Sequence, residues 1–264
     1  MLLRVRVTLP DRPGALGQVA RTLGVAGADI VQVVVLERLG GRAIDDFTVV
    51  WPGVARMERL LSGLGAIPGV QVDGVWRAIG APGNGGQDAE LLGQVAANPT
   101  DGLATLVDAV PGLLAADWAV AAVVPADWAL RNGAAPRAAR FDPAVAGPPD
   151  PFGAQLDPAE CEPAVTYASW RTPQPLRLPE VTPLRARAMD GPDGERYAVA
   201  PFGRAGLVLM VVRNDGDGLP AAAFHISEVD RIAQLVRAAA TVLGDRLDLV
   251  SAAPPDFSIM KSHG

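Results

Sequence analysis

One cysteine, Cys161, and one lysine, Lys261, occur in 264 residues. A lone cysteine excludes an internal disulfide. With only two histidines, His225 and His263, neither a metal-ligand spacing nor a Cys-His nucleophilic pair can be assembled. Positive charge is in short supply as well: the net charge is -6, which argues against a broad phosphate-binding surface of the kind nucleic-acid binders present. No apolar run reaches the roughly 18 residues that span a bilayer, and no basic start leads into a short apolar core. These absences predict a cytoplasmic protein with no metal or cofactor and no nucleic-acid or membrane partner. Hydrophobic residues, by contrast, make up 49% of the chain, enough core for one large domain or two ordinary ones.

The first strong local signal is a joint. Leu3, Val5, Val7 and Leu9 alternate with Arg4, Arg6 and Thr8, the period-2 pattern of a half-buried strand. Leu16, Val19, Ala20 and Leu23 then recur at helical spacing. Between them, Asp11-Arg12-Pro13-Gly14 turns the chain: Asp11 can cap free N–H groups, Pro13 suits a first helical turn, and Gly14 permits close approach. An open helix start attracts anions. Downstream, Ile30–Leu39 reads as a strand, Gly40-Gly41 as a hairpin turn and Arg42–Trp51 as the returning strand. A helix through Leu60 and Leu64 and a strand over Val70–Trp76 complete a βαββαβ order.

That order, the Asp-x-Pro-Gly-x-Leu joint and Gly27-Ala28-Asp29-Ile30 opening the second strand resemble the ACT domain, a regulatory module of amino-acid metabolism. The resemblance covers residues 1–79 and implies a ferredoxin-like sheet with helices on one side. It also implies ligand contacts at Asp11, Arg12, Pro13, Gly14, Ala15, Leu16, Asp29 and Ile30, and pairing of two copies with ligand at the seam.

Residues 80–87 hold Pro82-Gly83-Asn84-Gly85-Gly86 and read as a linker. Helices are expected near 88–98 and 100–115, a strand at 118–124, loops over 125–163, and strands near Tyr167–Arg171, 184–189, 195–202 and 206–213. A terminal helix then starts at a Ser227/Asp230 capping box and closes at Gly244. Residues 88–248 resemble a GAF-like sensor domain, which implies a second α+β unit with a central antiparallel sheet and a long terminal helix; residues 249–264 read as a flexible tail. The fold class expected for the whole chain is α+β.

In this reading Asp11 and Asp29 lie near one edge beside the first helix start, where they could receive the ammonium of an amino acid while backbone N–H groups hold its carboxylate. The plainer alternative makes Asp11 a cap and Asp29 a turn residue. The second strand is expected at a sheet edge, long, flat and apolar, which invites pairing into a homodimer; cover by the second domain is the alternative. Asp45 and Asp46 point to opposite faces and cannot converge on one substrate, so they read as solvated. Cys161, flanked by Glu160 and Glu162, lacks the surroundings of an activated thiolate. Trp118, Trp128, Phe152, Trp170, Phe202 and Phe224 are candidates for pocket lining or core. No catalytic set converges, so the expectation is a non-enzymatic regulatory protein that binds a small ligand, an amino acid by resemblance. The alternative is an interaction module without a ligand.

Overall fold

A computed structural model describes residues 1–52, 57–80, 86–125, 163–191, 194–204, 206–216 and 219–248. Expectations for the glycine run at 82–85, for Trp128, Phe152 and Cys161, for most of the 125–163 loop, and for the tail with His263 lie outside these residues.

The first unit runs β1 (Leu2–Pro10), α1 (Ala15–Val25), β2 (Asp29–Leu39), β3 (Arg42–Val50), α2 (Met57–Gly65) and β4 (Gln71–Arg77). Its antiparallel sheet has the order β2-β3-β1-β4. Alternation in β1 sends Leu3, Val5, Val7 and Leu9 to one face, where they join Val19, Leu23, Leu60 and Leu64 of the two helices in one core. Gly40 and Gly41, both at positive φ, make the tight β2–β3 turn.

The second unit runs α3 (Gln87–Ala97), α4 (Gly102–Leu114), β5 (Trp118–Val123), β6 (Ala164–Ala168), β7 (Arg187–Asp190), β8 (Arg196–Pro201), β9 (Leu207–Arg213) and α5 (Ile226–Leu243). Its five-stranded antiparallel sheet has the order β6-β5-β9-β8-β7. The central strands are covered on both faces, which explains the unbroken apolar run of β9. Leu207, Leu209 and Val211 meet the helices, while Val208, Met210 and Val212 meet Val181 and the 176–184 segment. Trp118, Phe202 and Phe224 are core residues, and Trp170 is 77% exposed beyond the end of β6. The cap of α5 is His225 with Glu228, in place of Ser227 with Asp230. The His225 ring accepts from the Ser227 N–H, and the Glu228 side chain receives the His225 N–H.

The other face of the first sheet overturns the expectation that Arg4, Arg6 and Thr8 mark a solvated side. It is closed by the second unit, and Arg6 is 4% exposed. Arg6 donates to both oxygens of Asp46 at 2.7 and 2.8 Å, to Glu228 at 2.9 Å and to the Ala223 carbonyl at 2.7 Å. Arg213, fully buried, donates to the other oxygen of Glu228 and to the carbonyls of Leu114 and Ala115 at the end of α4. The guanidinium groups of Arg6 and Arg213 both lie over the Trp76 ring, 5.3 and 4.6 Å from its centre, and Trp76 donates to the Ala115 carbonyl at 2.7 Å. Gly74 lies against the backbone of Ala222, and the Val75 N–H donates to Pro220 at 3.0 Å. The two sheets are thereby clamped together through a buried ionic layer.

Candidate functional site

The start of α1 is held as a turn rather than as a side-chain cap. Gly14 sits at the N-cap with φ of 87°, and among the described residues no side chain caps the first turn. Asp11, expected as the cap, instead receives a forked bond from Arg38 on β2, with contacts of 2.6 to 3.1 Å. This pair is exposed, with side-chain exposures of 65% for Arg38 and 28% for Asp11, so it contributes little to stability. Arg12 and Pro13 form the turn itself, Ala15 is buried under the helix, and Leu16 is 42% exposed beside it.

Asp29 does not join Asp11. Position 29 pairs with Val50, which pairs with Leu2, whereas Asp11 follows Pro10 at the far end of β1, where its N–H donates to Gly41. Some eight residues of strand, roughly 25 Å, separate the two carboxylates within one chain. The reason is topological: β1 and β2 both run antiparallel to β3 and so parallel to each other, which sets the start of β2, with Asp29, level with the start of β1, whereas Asp11 follows the end of β1. Ile30 stays with Asp29 at that far end and packs against the helix-side core. A single-chain cradle made of Asp11 and Asp29 is therefore ruled out.

Asp45 and Asp46 do point to opposite faces, yet both are buried, at 2% and 1% exposure. Asp46 belongs to the ionic layer. Asp45, between Val7 of β1 and Val35 of β2 in register, has one carboxylate oxygen without a partner among the described residues. Burial, reinforced by Asp46, pushes its carboxyl above the ordinary range, while Arg38 pulls the other way. Sequence reasoning missed this group because two adjacent aspartates near a hairpin look like surface residues.

The edge position of β2 is as expected, with β3 as its one neighbour in the sheet. It is not flat throughout: register shifts at Val31 and Leu36 leave Gln32–Val35 as the regular stretch. Val31, Val33 and Val35 are 51, 38 and 52% exposed on the outer side, so cover by the second unit extends only to the other face of this strand.

No family model matches the chain. No curated protein matches it either. Among solved structures, a formyltetrahydrofolate deformylase from Pseudomonas putida KT2440 is similar at 14% identity and a TM-score of 0.27 over 37% of this chain. The chain spans 39% of that protein's length. An unknown protein from Galdieria sulphuraria is similar at 12% identity and a TM-score of 0.28 over 94% of each chain. At TM-scores this low neither likeness informs the fold or the activity.

Among the described residues no helix is long and apolar enough to cross a membrane, and no group of three His, Cys, Asp or Glu side chains is placed to hold a metal ion. What the α1 end of the edge strand offers chemically is charge of both signs in the open, Asp11 with Arg38, beside helix N–H groups that no side chain caps and a buried carboxylate with an unused oxygen.

Proposed function

We propose that the chain is a regulatory ligand-binding protein in which two copies pair along β2, an amino acid binds at the seam, and the GAF-like unit carries the signal onward. The observation that carries this reading is Asp45: a buried carboxylate oxygen without a partner among the described residues destabilises a fold unless something uses it, and such local conflicts concentrate at functional sites. It lies in the electrostatic reach of Asp11 and Arg38. A zwitterion carries the same two charges as that exposed pair and can exchange with it, its ammonium going to the carboxylates and its carboxylate to Arg38 and the N–H groups that start α1.

Two copies are needed to bring Asp29 in. A two-fold axis between Val33 and Val34, at the middle of the regular edge, sets Asp29 of one copy against Arg38 of the other and buries the exposed valines. The clamp between the sheets then links the seam to the second unit, because Arg6 on β1 bridges Asp46 on β3 to Glu228 at the start of α5. A ligand that favours one arrangement of the seam shifts the population of the whole.

Thermal shift with each of the twenty amino acids tests the reading. At least one is expected to raise the melting temperature by several degrees at saturation, and Asp11→Asn to remove the shift. Asp45→Val is expected to raise the stability of the ligand-free protein by about 1–3 kcal/mol, through loss of an unsatisfied buried group, while also abolishing the shift. No response to any amino acid would leave the interaction-module reading in its place.

A further inference from the structure

A cleft of about 490 Å³ lies between the two units, along the face of β2 that carries Gln32 and Val34, and it extends to Val35 and Leu36 of that strand. Its volume is in the range that holds a small organic molecule. Gln32, Val34 and Leu36 of β2 form one wall with Arg4 and Thr48; the starts of α3 and α5, the end of α4 and residues 78–80 form the rest. Its apolar lining includes Val34, Val35, Leu36, Ile79, Leu113 and Leu114.

The charges around it do not balance. The ionic layer beneath holds three guanidinium groups, Arg4, Arg6 and Arg213, against two carboxylates, Asp46 and Glu228. Asp46 is already gripped from two sides by Arg6, and Arg4 reaches it only at 3.7 Å. The remaining contact of Arg4 is a long bond of 3.3 Å to the Thr48 hydroxyl. Its Nε is buried and has no partner among the described residues, and its side chain is 14% exposed, toward the cleft it lines. Burial and the two neighbouring arginines lower its pKa, outweighing the pull of Asp46 and Glu228. Arg231 and Asp88, which also line the cleft, neutralise each other in a forked pair with contacts of 2.6 to 3.2 Å. Across the cleft α3 begins at Gly86, at φ of 76°, with no side-chain cap.

We infer that this cleft is a second binding site, separate from the β2 seam, for a small organic acid that places its carboxylate on Arg4 and its apolar body against Leu36, Ile79 and Leu113. The single negative charge completes the ionic layer, and Thr48 and Gln32 supply further hydrogen-bonding groups at the carboxylate end. Because the walls come from both units, occupancy strengthens the contact between them.

The test is calorimetry and thermal shift with 4-methylpentanoate, with acetate and inorganic phosphate as size and charge controls. The expected result is saturable binding of 4-methylpentanoate, with a rise in melting temperature of roughly 5–10 °C at about 100 times its Kd, and at least tenfold weaker binding of both controls. Arg4→Met is expected to abolish binding while raising the melting temperature of the ligand-free protein, since it replaces an under-paired buried cation by an apolar chain. Leu36→Trp, which fills the cleft from the edge strand without touching the ionic layer, is expected to abolish binding with the fold intact. Asp11→Asn is expected to leave it unchanged. Absence of binding, equal response to phosphate, or binding that survives both Arg4→Met and Leu36→Trp would overturn the inference.

Discussion

Glu228→Ala is expected to destabilise the protein by about 3–5 kcal/mol, the cost of breaking a buried ion pair from one side. Glu228 is 6% exposed and receives bonds from Arg6, Arg213 and the His225 N–H. Without it, Asp46 is the one carboxylate left to the layer of Arg4, Arg6 and Arg213, and α5 loses half of its capping box. Burial by itself would raise the Glu228 carboxyl. The charges of Arg213 and Arg6, with their hydrogen bonds, outweigh it and hold the group at about 2. A carboxyl depressed in the folded state stabilises the fold above its unfolded value of 4.5 and loses that contribution as pH falls toward 2. Wild-type unfolding free energy, measured by urea titration, should therefore fall between about pH 5 and pH 2. Glu228→Gln should flatten that part of the curve. A wild-type profile level across this window, or an alanine variant within about 1 kcal/mol of wild type, would mean that the clamp contributes little.

Gly74→Ala is the second large effect, expected to exceed about 3 kcal/mol because the clash is with backbone and no rotamer change relieves it. A Cβ at this position would stand 2.4 Å from the Ala222 nitrogen and 2.8 Å from its Cα. Relief requires β4 to withdraw from residues 220–222, which breaks the Val75 to Pro220 bond and uncovers Trp76, now 3% exposed. The readout is a red shift in tryptophan emission together with a lower melting temperature. Gly63→Ala is the control: its Cβ would meet only the Thr22 methyl, at 2.9 Å, which can give way. The gain in helix propensity keeps that variant within about 1 kcal/mol of wild type. Equal behaviour of the two variants would contradict a rigid seam at Gly74.

The elements of the first unit were legible because each is marked twice, by period and by punctuation. Alternation in Leu3–Leu9, the Pro13-Gly14 start, the Gly40-Gly41 turn and the Gly69 stop all fall where the backbone uses them. The position of β2 at the edge followed from the order of elements. Its bulges did not, since nothing in a run of valines announces a register shift. In the second unit, β9 and α5 were readable from their long apolar patterns, whereas the cap at His225 was hidden by a better-known capping residue two positions later.

The site was less legible than the fold. Local sequence could name the α1 start, but the distance between Asp11 and Asp29 depends on strand direction, which a strand's own residues do not encode. Arg4, Arg6, Asp45 and Asp46 read as surface charge because polar alternation on a strand ordinarily faces water. Here the second unit covers the face that carries Arg4, Arg6 and Asp46, while Asp45 is buried on the opposite face in register with Val7, and the charges of the covered face found one another across more than 200 positions of sequence, as in the bond from Arg6 to Glu228. Only tertiary structure reveals that Arg4 and Asp45 were left with unused hydrogen-bonding atoms.

The pairing of two copies along β2 underlies the whole proposal, since one chain alone keeps Asp29 away from Asp11 and Arg38. Light scattering on the purified protein at micromolar concentration tests it most directly. The account predicts a mass of twice 27.3 kDa, returning to a single chain in Val33→Lys, which puts a charge into the middle of the paired edge. A wild-type mass of one chain, unchanged by saturating amino acids, would contradict it.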